Sequence, residues 1–450
     1  MSNLHDILQT HVGNGSVPGA VALVARGDRV EVQAAGCADV DGTSPMGRDS
    51  IFRIASITKP ITAAAVVMLV EDGRIALEDP VGHWLPELAS PSVVRTPASP
   101  VGDVVPAVRP ITVASLLTFR AGYGFPSDFS LPAVGLLVSE LKQGPPQPQL
   151  VAAPDEWMAA LSRIPLLNQP SQAWLYNTCS DILGVLIARA SGRPLPEFLA
   201  ERLFEPLGMA DTGFEVPAGK LDRFTSYYRT DTAGGLELVD APGGQWSRLP
   251  AFPSGAGGLV STADDWHCFA KMLLAGGSAS GRQLLSPASV RQMTTDHLTR
   301  SQRDAGRLFL EGQGWGFGGS VDVEAIDPWN VTGRYGWVGG TRNGSARHCL
   351  HRRGRHLAEP AGTGRPDPAR PDAGVLAARG DHLKPDRVRP AAPPLSVMKS
   401  QSRWLRATSG SPPAHGRSVR IAEVGHQAHS VSRIPRPLTS RSPTMRWSIL

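Results

Sequence analysis

The chain has 450 residues, 41% of them hydrophobic and 19% charged, which is enough for two or three domains with large cores. Its net charge of +5 is unevenly distributed, because residues 341–450 carry 20 basic and 6 acidic side chains whereas residues 1–340 carry 25 and 34. The basic balance therefore belongs to the C-terminal segment. The first 340 residues have the slightly acidic character of an ordinary soluble protein, which does not indicate nucleic-acid binding.

Targeting and metal-binding signals are also missing from the sequence. No run of 18 or more apolar residues occurs, so no transmembrane helix and no membrane partner are expected. The N-terminus lacks a basic start followed by an apolar core, so no signal peptide is expected. Four cysteines are far apart and lack metal-ligand spacing. We therefore expect free thiols in a reducing cytoplasm and no metal site.

The predicted elements, taken in chain order, indicate an α+β protein. An amphipathic helix at 3–12 precedes a β-hairpin at 17–35, where two β-rich runs flank a turn. Helical patterns then occupy most of the middle of the chain: near 55–72, 112–117, 180–190, 196–207, 262–276 and 286–298. Strand-like pieces return at 215–250 and 312–340. Helices in the middle and strands at both ends predict a sheet built from distant parts of the chain.

The helix that begins near Ala55 is the most informative of these elements. It ends at Asp72-Gly73, where glycine suits a C-terminal cap. Residues 61–70 are apolar on every face except Thr62, which predicts a helix buried inside the protein. Pro60 fits only in the first turn, where its missing N–H costs nothing.

This arrangement places Ser56 at the helix N-terminus and Lys59 three residues later on the same face. A hydroxyl beside a partly desolvated lysine, at the positive end of a helix dipole, can attack a carbonyl carbon. The Ser-x-x-Lys spacing alone is weak, because Ser139 and Lys142 repeat it in an amphipathic segment that we interpret as a solvated helix end. The buried helix at Ser56 is what distinguishes the first copy.

Two further stretches supply candidate partners. Tyr176 precedes the 180–190 helix and could exchange a proton with Ser56, or it could simply anchor its loop through the hydroxyl. The glycines at 336–340 interrupt a strand-like run, which indicates close approach of a ligand or another backbone. An N–H group there, together with the N–H of Ser56, would form an oxyanion hole.

These stretches together resemble the serine β-lactamase-related hydrolases, nearest the class C β-lactamases and the family VIII carboxylesterases. The likeness covers roughly Leu4–Gly340. Its motifs match in order and spacing: SITK at 56–59, LYNTCSDILG at 175–184, SGRPLPEFLAERLFEPLGMADTGF at 191–214, GGLVSTADDWHCFAKMLL at 257–274 and GWVGG at 336–340. The fold that this resemblance implies is the α+β β-lactamase/transpeptidase-like fold, with a helical subdomain and an antiparallel sheet flanked by helices.

The resemblance also implies roles. Ser56 would be the nucleophile, Lys59 its proton partner, Tyr176 the general base and later the acid, and Gly340 would lie near the second oxyanion donor. No metal or organic cofactor is implied, and the partner is a small-molecule substrate.

Two departures from the family pattern affect substrate contacts. Thr178 stands where the tyrosine motif usually has asparagine, and Trp337 stands where lactamases carry lysine or histidine before Gly339. Without that cation to hold a β-lactam carboxylate, neutral esters or amides are favoured as substrates. Alternatives are β-lactamase or D-amino-acid peptidase activity, and a catalytically inactive protein or small-ligand binder. The sequence leaves the oligomeric state open.

The expected domain organisation is discontinuous. Residues 1–60 and 246–340 form a sheet-and-helix domain, residues 61–245 form a mainly helical subdomain, and residues 341–450 form a disordered basic, proline-rich tail. The tail lacks the family's last strands and helix, so we hypothesise a reading-frame shift close to Thr341. An unpaired sheet edge at the oxyanion strand would then follow, with weak or absent activity.

Overall fold

The structure is a computed structural model, and it describes residues 4–144, 146–231, 234–326, 330–340, 350–351 and 448–449. The α-helices in these ranges are α1 (Leu4–Gly13), α2 (Thr58–Glu71), α3 (Val113–Leu117), α4 (Pro132–Ser139), α5 (Pro154–Ser162), α6 (Thr178–Ser191), α7 (Leu195–Leu199), α8 (Glu205–Leu207), α9 (Ala263–Leu274), α10 (Pro287–Met293), α11 (Arg300–Ala305) and α12 (Arg307–Leu310). A π-helical turn at Ala200–Phe204 joins α7 to α8.

The strands in the same ranges are short except for the first hairpin. They are β1 (Gly19–Arg26), β2 (Arg29–Gly36), β3 (Phe52–Arg53), β4 (Ser92–Val94), β5 (Val104–Pro106), β6 (Tyr227–Thr230), β7 (Leu236–Asp240), β8 (Val260–Ser261), β9 (Ser278–Ala279), β10 (Arg282–Gln283), β11 (Gly314–Trp315), β12 (Ser320–Val321), β13 (Arg334–Gly336), β14 (Leu350–His351) and β15 (Ser448–Ile449). Every pairing between these named strands is antiparallel.

Helix α2 lies at the centre of the main hydrophobic core. Its residues from Thr58 to Leu69 are all buried, as the apolar pattern predicts. Pro60 occupies the third position of the helix, inside the first turn, where no intrahelical partner is lost. The helix packs against α6, which is buried from Thr178 to Ile187. The two helices therefore bring the segments before them, at 55–57 and 174–177, close together.

Two of the six sheets in the described residues contribute several side chains each to this core. In one, α1 packs on the β1–β2 hairpin through Leu4 and Leu8. In the other, β11, β12, β13 and β14 follow one another in spatial order, with Ser320 opposite Gly336. Gly318, in the turn between β11 and β12, sits so close to α2 that an added Cβ would lie 2.5 Å from the Lys59 carbonyl oxygen. Its φ of +72° likewise suits glycine, so this turn is held against the N-terminal end of α2.

The hairpin and the helices at 3–12 and 180–190 are confirmed within two residues, and the helix at 196–207 is confirmed as α7, the π turn and α8, closed by Gly208 at φ +70°. The helix predicted at 286–298 is shorter than expected, ending at Met293. Strands β3 and β8 pair Phe52 with Ser261, which joins the two chain segments assigned to one discontinuous domain. The domain division itself stays a prediction.

The prediction that the strand near 334–340 would have an unpaired edge is wrong for Arg334 and Tyr335. Leu350–His351 pairs with β13, with Tyr335 opposite Leu350, and Ser448–Ile449 pairs with β1. Two short strands thus come from the segment that was expected to supply none. The predicted disordered tail and the hypothesised frame shift otherwise concern residues that lie outside the described ranges. None of the described helices has the length and apolarity needed to cross a bilayer.

Candidate active site

Ser56 lies in a single 3₁₀ turn, Ala55–Ile57, that leads directly into α2. The preceding residue, Ala55, has a φ of +46°, which is a strained conformation for a residue with a Cβ. A hydrogen bond next to the β3–β8 pair holds this turn in place, because the Ile54 N–H donates to the Leu259 carbonyl oxygen. Ser56 itself is half-buried. Its hydroxyl is therefore presented at a fixed point just before the helix.

Lys59 is fully buried, and its amine meets three oxygen atoms. The Nζ atom lies 2.9 Å from Ser56 Oγ, 2.9 Å from Asn177 Oδ1 and 2.7 Å from the Ala256 carbonyl oxygen. Burial lowers the pKa of Lys59 to about 7, with a partial opposing effect from the Asp181 charge. A substantial fraction of Lys59 is therefore neutral near physiological pH.

The contacts of Lys59 satisfy the ammonium, whose three N–H groups can donate to all three oxygens, and they are also compatible with the neutral amine. A neutral amine has two N–H groups and one lone pair, and the carbonyl oxygens of Asn177 and Ala256 can accept only the N–H groups. The lone pair is then left for the third neighbour, the Ser56 hydroxyl. In this state Lys59 can take a proton from Ser56 without losing either of its other hydrogen bonds.

Tyr176 approaches Ser56 from the segment that precedes α6. Its hydroxyl donates to Ser56 Oγ at 2.7 Å and accepts a hydrogen bond from Trp337 Nε1 at 2.9 Å. Burial raises the pKa of Tyr176 to about 12, although both of these hydrogen bonds act in the opposite direction. At neutral pH the residue is therefore a phenol that can give a proton rather than a phenolate that can take one.

Aromatic side chains surround Tyr176. The ring of Phe309, which is half-buried, stacks on it at a centroid distance of 4.5 Å, and the Trp337 ring lies 5.6 Å away. Trp337 also meets Trp315 edge to face at 4.7 Å. This packing restricts the rotamers of Tyr176 and Trp337 and lines the site with apolar surface.

The predicted site residues divide into two groups. Ser56, Lys59, Tyr176 and Trp337 come together through the hydrogen bonds given above. Gly339 is buried and Gly340 is exposed, and both follow β13 within three residues of Trp337. Their predicted contribution to an oxyanion hole stays a prediction.

Thr178 was predicted to lie at the substrate-contacting position of the tyrosine motif, and the structure places it elsewhere. It is fully buried at the start of α6, and its hydroxyl donates to Gln143 Oε1 at 2.6 Å, away from Ser56. The physical reason is the conformation of the preceding residue. Asn177 has a φ of +84°, which turns its own side chain, rather than that of Thr178, toward Lys59.

The residues that sequence reasoning missed are Asn177, Asp181 and Ala256. Asparagine is enriched at positive φ, so Asn177 between Tyr176 and a helix start carried a usable signal. Asp181 lies in the first turn of α6, where a carboxylate is ordinary, and nothing in the sequence marks the Ala256 carbonyl. No cluster of three His, Cys, Asp or Glu side chains is placed to hold a metal ion in the described part of the chain.

A family model described as Beta-lactamase matches residues 4–350. Protein Rv1367c of Mycobacterium tuberculosis is 40% identical over 311 residues, which cover 68% of this chain and 75% of that protein. Esterase EstB of Burkholderia gladioli is 30% identical over 316 residues, 67% of this chain and 74% of the esterase.

A solved structure agrees with these two sequences. It is that of EstCE1, a hydrolase with promiscuous acyltransferase activity, which superposes with a TM-score of 0.61 at 25% identity. The match covers 76% of this chain and 88% of EstCE1.

Proposed function

This chain belongs to the β-lactamase family, and from that membership we propose that it is a serine hydrolase that cleaves esters through an acyl-enzyme on Ser56. One observation carries the proposal. Ser56 Oγ lies within hydrogen-bond distance of an amine and a phenol, Lys59 Nζ at 2.9 Å and Tyr176 Oη at 2.7 Å. The similarity to Esterase EstB, which is 30% identical over 316 residues, supports the proposal that the substrates are esters.

The contacts support a specific order of proton transfers. The neutral amine of Lys59 takes the Ser56 proton as Oγ forms a bond to the ester carbonyl carbon. The tetrahedral oxyanion is then stabilised by backbone N–H groups, for which Ser56 and Gly340 are our candidates. When the bond to the leaving alkoxide breaks, Tyr176 donates its proton to the alkoxide, and we propose that the Lys59 ammonium, whose Nζ lies 4.7 Å from the centre of the Tyr176 ring, replaces that proton. This assigns the first base step to Lys59 instead of Tyr176, because burial raises the pKa of Tyr176 and the phenol keeps its proton at neutral pH, so it has no site for the Ser56 proton.

The second half of the reaction reverses these steps. Neutral Lys59 removes a proton from water as the water oxygen attacks the acyl carbonyl, and the resulting ammonium returns that proton to Ser56 Oγ when the bond between Oγ and the acyl carbon breaks. The products are a carboxylic acid and the regenerated hydroxyl of Ser56. An unpaired oxyanion strand would give weak or absent activity. β14 pairs with Arg334 and Tyr335, the first residues of that strand, whereas Gly340 lies beyond this pairing, so we propose that the chain is active but impaired.

The rival functions are separated by substrate choice. Short-chain p-nitrophenyl esters are expected to be hydrolysed much faster than nitrocefin, because no lysine or histidine stands at Trp337-Val338-Gly339 to hold a β-lactam carboxylate. A fluorophosphonate probe should add covalently to the peptide that contains Ser56, as read by mass spectrometry. Preferred turnover of nitrocefin would favour the lactamase or peptidase alternative. Failure of both labelling and hydrolysis would leave the inert-binder alternative.

The place of action belongs to the same proposal. Cys37, Cys179 and Cys268 are free thiols in the structure, which supports the cytoplasmic location expected from the spacing of the cysteines. A small-molecule ester remains the proposed partner.

The first prediction concerns pH. Values of kcat/KM for a p-nitrophenyl ester should fall about tenfold per unit as the pH drops below about 7, because protonated Lys59 cannot accept the Ser56 proton. The measurement is a rate profile from pH 5 to 9, followed at a wavelength where product absorbance does not depend on pH. Circular dichroism at each pH checks that the protein stays folded. A flat profile across this window would exclude neutral Lys59 as the base.

The second prediction concerns Trp337. Replacing Trp337 with phenylalanine keeps an aromatic ring but removes the N–H that donates to the Tyr176 hydroxyl, so kcat should fall by roughly 2- to 10-fold. Trp315→Phe is the matched control, because Trp315 is buried beside Trp337 and its Nε1 has no hydrogen-bond partner among the described residues. Equal losses in the two variants would mean that only ring packing matters.

A further inference from the structure

A second ionisable group lies behind the candidate catalytic residues. Asp181 is buried in the first turn of α6, and its carboxylate accepts three hydrogen bonds. Ser254 Oγ and the Ala256 N–H donate to Oδ1 at 2.6 and 3.1 Å, and Gln143 Nε2 donates to Oδ2 at 3.0 Å. The residue has no role in the reaction steps described above.

These contacts connect Asp181 to Lys59 through the backbone. The N–H of Ala256 donates to Asp181, and the carbonyl oxygen of the same residue accepts from Lys59 Nζ at 2.7 Å. Ser254 reinforces the same segment, since its hydroxyl also accepts from the N–H groups of Ala256 and Gly257. On the other side of Asp181, the Gln143 side chain also accepts a hydrogen bond from the hydroxyl of Thr178, the first residue of α6. Asp181 thus ties together the loop and the helix end that surround Lys59.

The contacts also favour an ionised carboxylate. Every hydrogen bond that reaches Asp181 comes from a donor, so the negative form is satisfied, whereas a protonated carboxyl would need an acceptor. Burial raises the pKa of Asp181, and the three donors and the charge of Lys59 oppose that effect. Opposite charges in such a dry site interact strongly.

The groups that face Lys59 are few. From the segment before α6 come Asn177 and the phenol of Tyr176, from the 3₁₀ turn comes Ser56, and from the 254–257 segment comes a carbonyl. The titratable groups among the described neighbours are Tyr176 and Asp181, and only Asp181 can carry a negative charge at neutral pH.

We propose that Asp181 is a positioning residue that fixes the Ala256 carbonyl against Lys59 and sets the charge state of the lysine. Burial alone would weaken Lys59 as a base, and the nearby carboxylate restores part of its affinity for a proton. A base is most effective when its proton affinity matches the working pH, so this placement suits the reaction proposed above. The inference rests on that proposed function for its catalytic meaning, while the effect on the charge of Lys59 stands without it.

The test variant is Asp181→Asn, which keeps the shape and removes the charge. Loss of the negative charge disfavours the ammonium, so the acid limb of kcat/KM should move to lower pH by about one unit. The plateau of kcat should fall by about tenfold because Lys59 becomes a weaker base, and up to about 100-fold if the Ala256 carbonyl shifts. KM should stay close to the wild-type value, since Asp181 does not reach the substrate. An unmoved acid limb would overturn the proposal.

Asp265→Asn is the matched control. Asp265 is also a buried carboxylate in the first turn of a helix, α9, where it accepts from the Asp211 N–H at 2.8 Å and Thr212 Oγ1 at 2.9 Å. Its replacement should leave the acid limb in place. A shift of the same size in this control would show that any buried charge acts alike and would overturn the specific role of Asp181.

Two further measurements keep the test decisive. A titration of ¹³C-lysine by NMR, with the Lys59 signal identified by its loss in Lys59→Met, reports the same shift without substrate, so it still tests the inference if no ester is hydrolysed. If Asp181→Asn does not fold, Ser254→Ala tests the positioning arm: kcat should fall several-fold at unchanged KM. An unchanged kcat in that variant would refute positioning through the Ala256 carbonyl.

Discussion

Replacing Ser56 with alanine is expected to lower kcat for a p-nitrophenyl ester by about 10⁴- to 10⁶-fold. The variant loses the oxygen atom that forms the acyl-enzyme. Lys59 and Tyr176 act on the substrate through that oxygen, which both of them contact, so neither can take its place. Covalent labelling by the fluorophosphonate probe should vanish at the same time. The fold should be kept, since the hydroxyl makes no bond to the core apart from these two partners.

The chain provides its own control for this experiment. Ser139 and Lys142 repeat the Ser-x-x-Lys spacing, but Ser139 is exposed at the end of α4, and Lys142 Nζ donates to its carbonyl rather than its hydroxyl. Ser139→Ala should keep wild-type activity and labelling. Residual hydrolysis above about one per cent in Ser56→Ala, with a normal melting temperature, would show that another nucleophile does the chemistry.

Replacing Lys59 with methionine is expected to give the second largest loss, roughly 10²- to 10⁴-fold in kcat. Methionine fills a similar volume, but it cannot take the Ser56 proton, and it leaves the carbonyl oxygens of Asn177 and Ala256 without their donor. The acid limb near pH 7 should disappear together with the activity, because the group that titrates there is gone. Rates at several pH values and a thermal melt measure both effects.

Lys142→Met is the corresponding control, because Lys142 is exposed and its bond to the Ser139 carbonyl is on the surface. Its rate and its pH profile should match those of the wild type. If Lys59→Met loses activity but keeps an acid limb near pH 7, the titrating group is another residue, and the assignment of Lys59 as the base fails.

Family and fold were accessible from the sequence because they depend on local patterns. The apolar run at 61–70 predicts a helix with no exposed face, and α2 is buried from Thr58 to Leu69. The resemblance to serine β-lactamase-related hydrolases is confirmed by the family model and the relatives. The strand pairing of Leu350–His351 was missed, because two residues carry no periodic pattern that a sequence can show.

The site was only partly accessible from the sequence. Ser56 and Lys59 lie three positions apart on one helix, so their meeting follows from helix geometry. Substrate contact by Trp337 stays a prediction, and the hydrogen bond from its indole N–H to Tyr176, 161 residues away in sequence, was not predicted. Thr178 is buried and Asn177, which was not predicted, contacts Lys59 in its stead, because the positive φ of Asn177 redirects its side chain. No local pattern reports such a dihedral angle.

The sequence by itself determined which chemical groups this protein has and which helix carries the nucleophile. Local spacing on α2 and the apolar run behind it were enough, because both act over a few residues. Only the tertiary structure decided that burial lowers the pKa of Lys59 to about 7, that the tyrosine stays protonated, and that Asp181 lies next to this site. The reason is that proton affinity depends on burial and on neighbours brought from more than 100 residues away, and the folded chain alone sets both.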